Sequence, residues 1–182
     1  MLLALSSCDN RPNVLGSWQG TMRQSVPGQT QDMIVTYNFA KDGTIAATYM
    51  INIAEPLPPV DSIVNAYQMN VSAMASMNGV WQYVKHEDDE ISLAFDPNTI
   101  NVTIDPEAVV YKANIITAQQ EPALEALKPV ILDHYKQLVY DEMRRAQMNQ
   151  LLEDVDVKSP VLTFEMNDVD YTFHTTTPLP AK

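Results

Sequence analysis

The side chains that could do chemistry in this sequence are not grouped as a catalytic or metal site requires. Its three histidines, His86, His134 and His174, stand far apart along the chain. His86 precedes the acidic run 87–90, where imidazole and carboxylate groups could bind a cation, but the spacing matches no established metal site. The sequence also contains no Gly-x-Ser-x-Gly nucleophile motif, no phosphate-binding glycine loop and no His-Glu-x-x-His pair. We therefore expect no catalytic activity, no metal and no cofactor.

Aromatic side chains form a more informative set, because they fall on one face of the predicted strands. The eight inward-facing aromatics are Trp18, Phe39, Tyr49, Trp81, Tyr83, Phe164, Tyr171 and Phe173. Such a lining could hold an apolar or aromatic ligand. It could also fill a small barrel completely, and the sequence favours this packed arrangement. If a cavity exists, the first seven of these residues are the candidate ligand-binding side chains.

Cys8 is the only cysteine and cannot form a disulfide within the chain. It ends the string Leu-Ser-Ser-Cys at residues 5–8, which resembles a bacterial lipobox, and a polar, turn-rich segment follows it. The resemblance implies that Cys8 carries a lipid and that a tether leads from it to the folded part. We therefore assign residues 1–12 to a signal remnant and tether, and residues 13–182 to a single domain.

The positions of the aromatics depend on strands, which an alternation of apolar and polar residues predicts along most of the chain. Turn signals stand at Asp42-Gly43 and at Asn78-Gly79, and the latter predicts a second hairpin. The predicted strands cover residues 16–24, 32–39, 44–53, 64–76, 80–86, 91–95, 100–104, 161–166 and 169–175.

The pattern changes from strand to helix between residues 105 and 158. Asp105-Pro106-Glu107 resembles a helix start, so residues 107–116 are predicted to form a short helix. Apolar residues at helical spacing predict further helix from Pro122 to about Asp154, and Pro129 should divide it into two helices. The fold class is therefore mainly β, with a helical insertion at about 105–158. The alternative is an open α+β sheet with helices packed on one face.

Charge and length exclude several kinds of partner. The 182 residues include 23 acidic and 11 basic side chains, which gives a formal net charge of -12. Phosphates would be repelled, so we expect no nucleic-acid partner and no basic patch for anionic lipid. No apolar run reaches the roughly 18 residues that a membrane-spanning helix needs.

Three short motifs together resemble one protein family. They are Leu15-Gly16-Ser17-Trp18, the segment Phe39-Ala40-Lys41-Asp42-Gly43-Thr44, and Gly79-Val80-Trp81. This set is similar to the small lipocalin-like lipoproteins of Bacteroides and its relatives. The resemblance implies an antiparallel lipocalin-like (calycin-type) barrel in which the first tryptophan plugs one end. It also implies a lipid-anchored location in the cell envelope, at the outer membrane if the source is a diderm bacterium.

Two functions from different classes follow from these expectations. The first is a membrane-anchored module that binds a small apolar ligand. The second is an interaction or assembly module, in which the 105–158 helices contact another envelope protein. A cavity with converging polar groups would favour the first, and a packed barrel with an exposed apolar helix patch would favour the second.

One further short motif carries a prediction. Ser62 lies in Asp61-Ser62-Ile63, which resembles an O-glycosylation sequon of Bacteroides.

Overall fold

The computed structural model describes residues 11–26, 29–56, 68–112 and 121–176, which form an antiparallel sheet and a long helix. The strands and the helix are, in chain order, β1 (Gly16–Val26), β2 (Gln29–Phe39), β3 (Thr44–Pro56), β4 (Gln68–Tyr83), β5 (Ile91–Phe95), β6 (Asn101–Lys112), α1 (Glu121–Ala146), β7 (Asn149–Lys158), β8 (Val161–Glu165) and β9 (Asp170–Thr175). A short 3-10 turn, Pro97–Thr99, precedes β6.

Eight of the nine strands found in the described residues close into a barrel. Around the ring the order is β1, β2, β3, β4, β5, β7, β8 and β9, and β9 pairs with β1 through Trp18–Thr175 and Gly20–Phe173. β6 pairs with the first part of β4, whereas β5 pairs with its last part. The mainly β, lipocalin-like barrel predicted from the sequence is confirmed, and the open-sheet alternative is wrong.

The local sequence explains the first hairpins. Alternate side chains of β2 and β3 are buried in the barrel, as the period of two predicts. Between them the Asp42 carboxylate accepts hydrogen bonds from the Thr44 backbone N–H at 3.0 Å and from its hydroxyl at 2.6 Å. These bonds lower the pKa of Asp42. Gly43 adopts a φ of 84°, a conformation that glycine takes without steric cost. The predicted turn is therefore confirmed.

Asn78-Gly79 does not form the predicted hairpin, because β4 continues through it to Tyr83. Gly79 lies opposite Phe95 of β5. A Cβ atom on Gly79 would lie only 2.2 Å from the Ala94 carbonyl oxygen. The glycine therefore permits the close approach of a neighbouring backbone, which is a second common reason for a glycine inside a strand.

The predicted helical insertion is shorter than expected. α1 is one continuous helix with Pro129 inside it, so the predicted division into two helices is wrong. Residues 107–112 belong to β6 and not to a helix, since they continue its pairing with β4. Residues 149–158 form β7, and the helix prediction for this segment is also wrong.

A backbone irregularity changes the side-chain spacing within β7. The pairing of β7 with β8 shifts register between Glu153 and Asp156, where Asp154 has a φ of 50°. Leu152 and Val155 are consequently both buried although they are three residues apart. A spacing of three is typical of a helix face, and the bulge produces it in a strand.

α1 packs on the part of the sheet that β4 and β6 form. It contacts β6 and β4, and its buried stripe consists of Leu124, Ile131, Tyr135, Val139 and Met143. These side chains join the same hydrophobic core as the barrel interior. α1 is not apolar enough to cross a membrane, and neither is any other helix in the described part of the chain.

Candidate ligand-binding cleft

One end of the barrel is closed by aromatic side chains. Trp18 is 4% exposed, and its indole N–H donates to the Val14 carbonyl at 2.8 Å. The ring of Trp81 meets Phe39 edge-on at 5.5 Å between centroids and meets Tyr83 in the same way at 5.6 Å. Edge-to-face contacts of this kind are favourable because the ring edge is positive and the ring face negative. The predicted plug at the first tryptophan is therefore confirmed as a buried side chain.

The polar atoms of this aromatic group are bonded to the backbone of the protein itself. The Trp81 indole N–H donates to the Ala40 carbonyl at 3.0 Å, and the Tyr83 hydroxyl donates to the Pro12 carbonyl. The Arg11 guanidinium lies 5.0 Å from the centre of the Tyr83 ring. These contacts fix the segment before β1 against the closed end. They give the aromatics of this end a structural role.

The middle of the barrel is also filled. Tyr37 stacks on Phe173 at 5.6 Å, and Phe173 contacts Phe164 edge-on at 5.1 Å. Phe164 in turn lies 5.6 Å from the ring of Tyr171. Tyr37, Tyr49 and Phe173 have no exposed surface. The packed interior that the sequence favoured is therefore found here.

A cleft of about 510 Å³ opens where the end of α1 and the start of β7 meet β1, β2 and the β8–β9 turn. Its volume lies within the roughly 300–1,000 Å³ of small-molecule sites. The apolar wall includes Met22, Met33, Met166 and Tyr171, all of which are largely buried. Methionine side chains are flexible and polarisable, so such a wall can adapt to ligands of different shape.

The floor of the cleft is a buried polar network centred on Gln150, which is 7% exposed. Its Oε1 accepts from the Tyr37 hydroxyl at 2.5 Å. Its Nε2 donates to Gln147 Oε1 at 2.6 Å and to the Tyr49 hydroxyl at 3.2 Å. The side-chain amide of Gln150 therefore has partners for its oxygen and for both of its N–H groups. It is held in one orientation between the barrel interior and the cleft.

Burial keeps the tyrosines of this floor neutral. Desolvation raises the pKa of Tyr37 well above its ordinary value, and the neighbouring Tyr49 raises it further. Desolvation likewise raises the pKa of Tyr49, against the hydrogen bond from Gln150. Both hydroxyls consequently remain protonated at neutral pH. They serve as hydrogen-bonding groups and not as acids or bases.

The rim of the cleft carries charges of both signs. Arg145 forms a two-pronged contact with Glu142, with its Nη2 at 2.7 and 2.8 Å from the two carboxylate oxygens. Arg23 Nε lies 3.5 Å from Asp32 Oδ1 on the neighbouring strand. Glu153 adds a further carboxylate to the lining. Burial raises the pKa of Tyr171 beside this rim, and the positive charge of Arg23 partly opposes the shift.

Few of the candidate ligand-binding aromatics predicted from the sequence line the cleft. Tyr171 lines it directly, and Tyr49 contacts its floor through Gln150. The other five candidate aromatics, Trp18, Phe39, Trp81, Tyr83 and Phe164, belong to the closed end or the packed middle. Cys8 and Ser62 lie outside the described residues, so their proposed modifications remain predictions.

Sequence reasoning missed the two glutamines. Gln147 and Gln150 follow α1 within a segment that the sequence pattern predicts as helix, where a polar side chain indicates an exposed face. Had β7 been recognised, Gln150 would have stood on the same face as Leu152, as an inward-facing amide. A buried amide requires partners, and this requirement is the signal that points to a site.

The described residues 11–26, 29–56, 68–112 and 121–176 hold no group of three His, Cys, Asp or Glu side chains that could bind a metal ion. His86 instead occupies an exposed turn with a φ of 76°.

Comparisons with known proteins gave one kind of match, to solved structures. No family model matches the chain, and no curated protein does. One solved structure that matches is an uncharacterized protein from Bacteroides eggerthii DSM 20697. The two chains are 17% identical, the match covers 88% of this chain and 98% of that chain, and the TM-score is 0.38. The strand pairing of this chain, and not this likeness, defines the barrel described above.

Proposed function

We propose that this protein is a lipid-anchored, lipocalin-like binding protein of a bacterial cell envelope that holds a small, largely apolar ligand in the cleft. One observation carries the binding part of the proposal. The cleft combines a wall of buried methionines with a floor of buried, ordered amides. Most of the rest of the lining consists of charged or amide side chains, so the cleft is more polar than most small-molecule sites; its methionines supply the apolar surface, and its fixed amides orient the ligand.

The anchoring part rests on the sequence around Cys8 and is supported by the position of the N-terminal segment. The segment 11–15 is fixed at the closed end by Val14 and Pro12. The cleft-lining residues Met22 and Arg23 lie further along β1, away from that end. A lipid on Cys8 would hold the closed end near the membrane and leave the cleft accessible.

The alternative of an interaction surface on the helix has less support. The apolar stripe of α1 is buried against the barrel. Val130 is a large apolar side chain on its outer face, and it is 66% exposed. One exposed side chain is common on a soluble domain and does not form a patch.

Mass spectrometry of the protein purified from its own membrane tests the binding proposal. We expect organic extraction to release a small molecule from the wild type and much less from Ala146→Trp, which fills the cleft from the end of α1. Ala126→Trp, on an exposed position of the same helix, is the matched control and should retain the molecule. Equal recovery from the wild type and Ala146→Trp would contradict binding in this cleft.

Metabolic labelling with a fatty-acid analogue tests the anchor. Wild-type protein should be labelled and Cys8→Ala should not. Equal labelling of both proteins, or of neither, would contradict the anchor. Firm attachment should require more than one acyl chain, because a single chain gives only marginal membrane binding.

A further inference from the structure

Gln147 has hydrogen-bond donors that the described residues do not use. The residue is 6% exposed and lines the cleft. Its backbone N–H donates to Met143, and its Oε1 accepts from Gln150 Nε2 at 2.6 Å. Its own Nε2 donates to no atom among the described residues. Buried polar groups in folded proteins nearly always have partners, so a donor left at a cleft wall indicates where a ligand acceptor binds.

The neighbouring network fixes which atom of Gln147 faces the ligand. Gln150 uses both N–H groups and its oxygen on Gln147, Tyr49 and Tyr37. The Gln147 backbone carbonyl, which can only accept, lies 3.4 Å from Gln150 Nε2, so this nitrogen faces Gln147 and the Gln147 side-chain oxygen turns toward the floor. The amide nitrogen of Gln147 is then the atom left for the cleft. Gln150 acts here as a positioning residue.

We propose that the Gln147 side-chain amide is the specificity-determining donor of the cleft and that it recognises a neutral carbonyl oxygen on a ligand with an apolar body. This inference rests on the proposed binding function and names the class of ligand, an amide or ester. The apolar body lies against Met22, Met33 and Met166, which supply adaptable surface at the same cleft.

The charges around the cleft favour a neutral acceptor over a carboxylate. Arg145 and Arg23 each already face a carboxylate, on Glu142 and Asp32. Glu153 adds another negative charge to the lining. A buried carboxylate is costly unless a cation pairs with it, whereas a neutral carbonyl needs only the amide donor. A ligand ammonium group has only N–H donors, so it cannot accept a hydrogen bond from the Gln147 amide. It is disfavoured for that reason.

Nuclear magnetic resonance of the 15N-labelled protein tests this inference with three probes, decanamide, decanoate and decylammonium, each below its micelle concentration. Loss of one signal in Gln147→Glu assigns the side-chain amide of Gln147. We expect decanamide to shift that signal and to bind more tightly than the other two. The three probes share one apolar chain, so differences between them report the head group.

Two variants separate recognition from folding. Gln147→Glu keeps the acceptor for Gln150 but removes the donors, and Gln147→Met removes the donors without adding charge. The Kd of each variant for decanamide should be at least roughly fivefold that of the wild type, because each variant loses one neutral hydrogen bond to the ligand. The matched control is Gln82→Glu, an exposed position on β4 outside the cleft lining, which should bind as the wild type does.

Each outcome decides a different claim. Unchanged decanamide binding by Gln147→Met, or tighter binding of decanoate or decylammonium, would overturn the carbonyl inference and leave binding in the cleft intact. If no probe shifts any signal from the cleft, both the inference and the proposed binding function fail. A decanamide-specific shift of Gln147 that is lost with its donors would support both.

Discussion

Trp18 is both buried and hydrogen-bonded, and a pair of substitutions separates these contributions. Trp18→Ala should lower the free energy of unfolding by about 3–5 kcal/mol, because it leaves a cavity in the closed end. Trp18→Phe should cost less, since it keeps an aromatic ring and loses the bond to Val14 and only part of the buried indole volume. Urea denaturation measures both. Gln19→Ala, an exposed neighbour, should stay within about 0.5 kcal/mol of the wild type. A similarly small effect of Trp18→Ala would mean that the plug is misplaced.

A second prediction at the scale of one residue concerns Gly79. In Gly79→Ala the new methyl group would lie 2.2 Å from the Ala94 carbonyl oxygen and 2.7 Å from Phe95 Cα. Both atoms belong to the backbone of β5, so the strands must separate. We expect a loss of about 1–3 kcal/mol in the free energy of unfolding, typical of overpacking.

The matched control for Gly79→Ala is Ser76→Ala on the same strand. Ser76 is half-buried and pairs with Thr48, and its substitution should change stability by about 0.5 kcal/mol or less. Thermal unfolding of the two variants under one set of conditions gives the comparison. Equal melting temperatures would show that β4 and β5 do not approach each other as described.

At the scale of elements, carboxylates gather where the 87–90 turn, β7 and the β8–β9 hairpin meet. Desolvation raises the pKa of Glu90, and Glu87 and Glu153 raise it further. Desolvation also raises the pKa of Glu165, together with Asp170. A carboxyl group with a raised pKa in the folded state binds more protons there than in the unfolded chain. Its contribution to stability is present below the unfolded pKa and is lost as the pH rises through the folded value.

Glu165→Gln should therefore raise the melting temperature at pH 7 and low salt, because it removes one of several like charges. The gain should shrink at high salt, which screens exposed charges, and disappear at a pH below the ordinary glutamate pKa. Glu107→Gln on β6 changes the same charge at an exposed position and is the control. A gain of the same size in both variants would indicate an effect of net charge alone.

At the scale of the whole molecule, the barrel depends on the pairing of its first and last strands. Gln19 of β1 lies opposite His174 of β9, and both side chains are exposed. Paired residues of antiparallel strands have Cα atoms about 4.5–5.5 Å apart, within the range of a disulfide. In a Cys8→Ser background, Gln19→Cys with His174→Cys should form a disulfide and raise the melting temperature under oxidising conditions.

The register of that seam is tested by a shifted pair. Gln19→Cys with Thr172→Cys places the two positions on a diagonal, about 7–8 Å apart, beyond comfortable disulfide geometry. We expect little oxidation and no gain in melting temperature for this pair. Efficient oxidation of the shifted pair, with none of the matched pair, would contradict the barrel closure.

The sequence by itself determined the strands whose information is local. The alternation in residues 32–53 and the turn at Asp42-Gly43 predict β2 and β3 with their inward faces, and Trp18, Phe39 and Tyr49 are all buried as expected. An alternating pattern and a turn residue act over a few positions, so one stretch of sequence contains the whole signal. The mainly β class follows from the number of such strands, whereas the barrel was implied by the family resemblance.

Only the tertiary structure decided the site. Asn78-Gly79 has the sequence of a turn, but the approach of β5 determines its role. The bulge at Asp154 lets Leu152 and Val155 of one strand both face the core although they are three residues apart. Gln150 became the floor of the cleft through Tyr37 and Tyr49, which are 113 and 101 residues away in the chain. Partners at such separations meet only when the barrel closes, because no local pattern records which distant side chains will share a buried position.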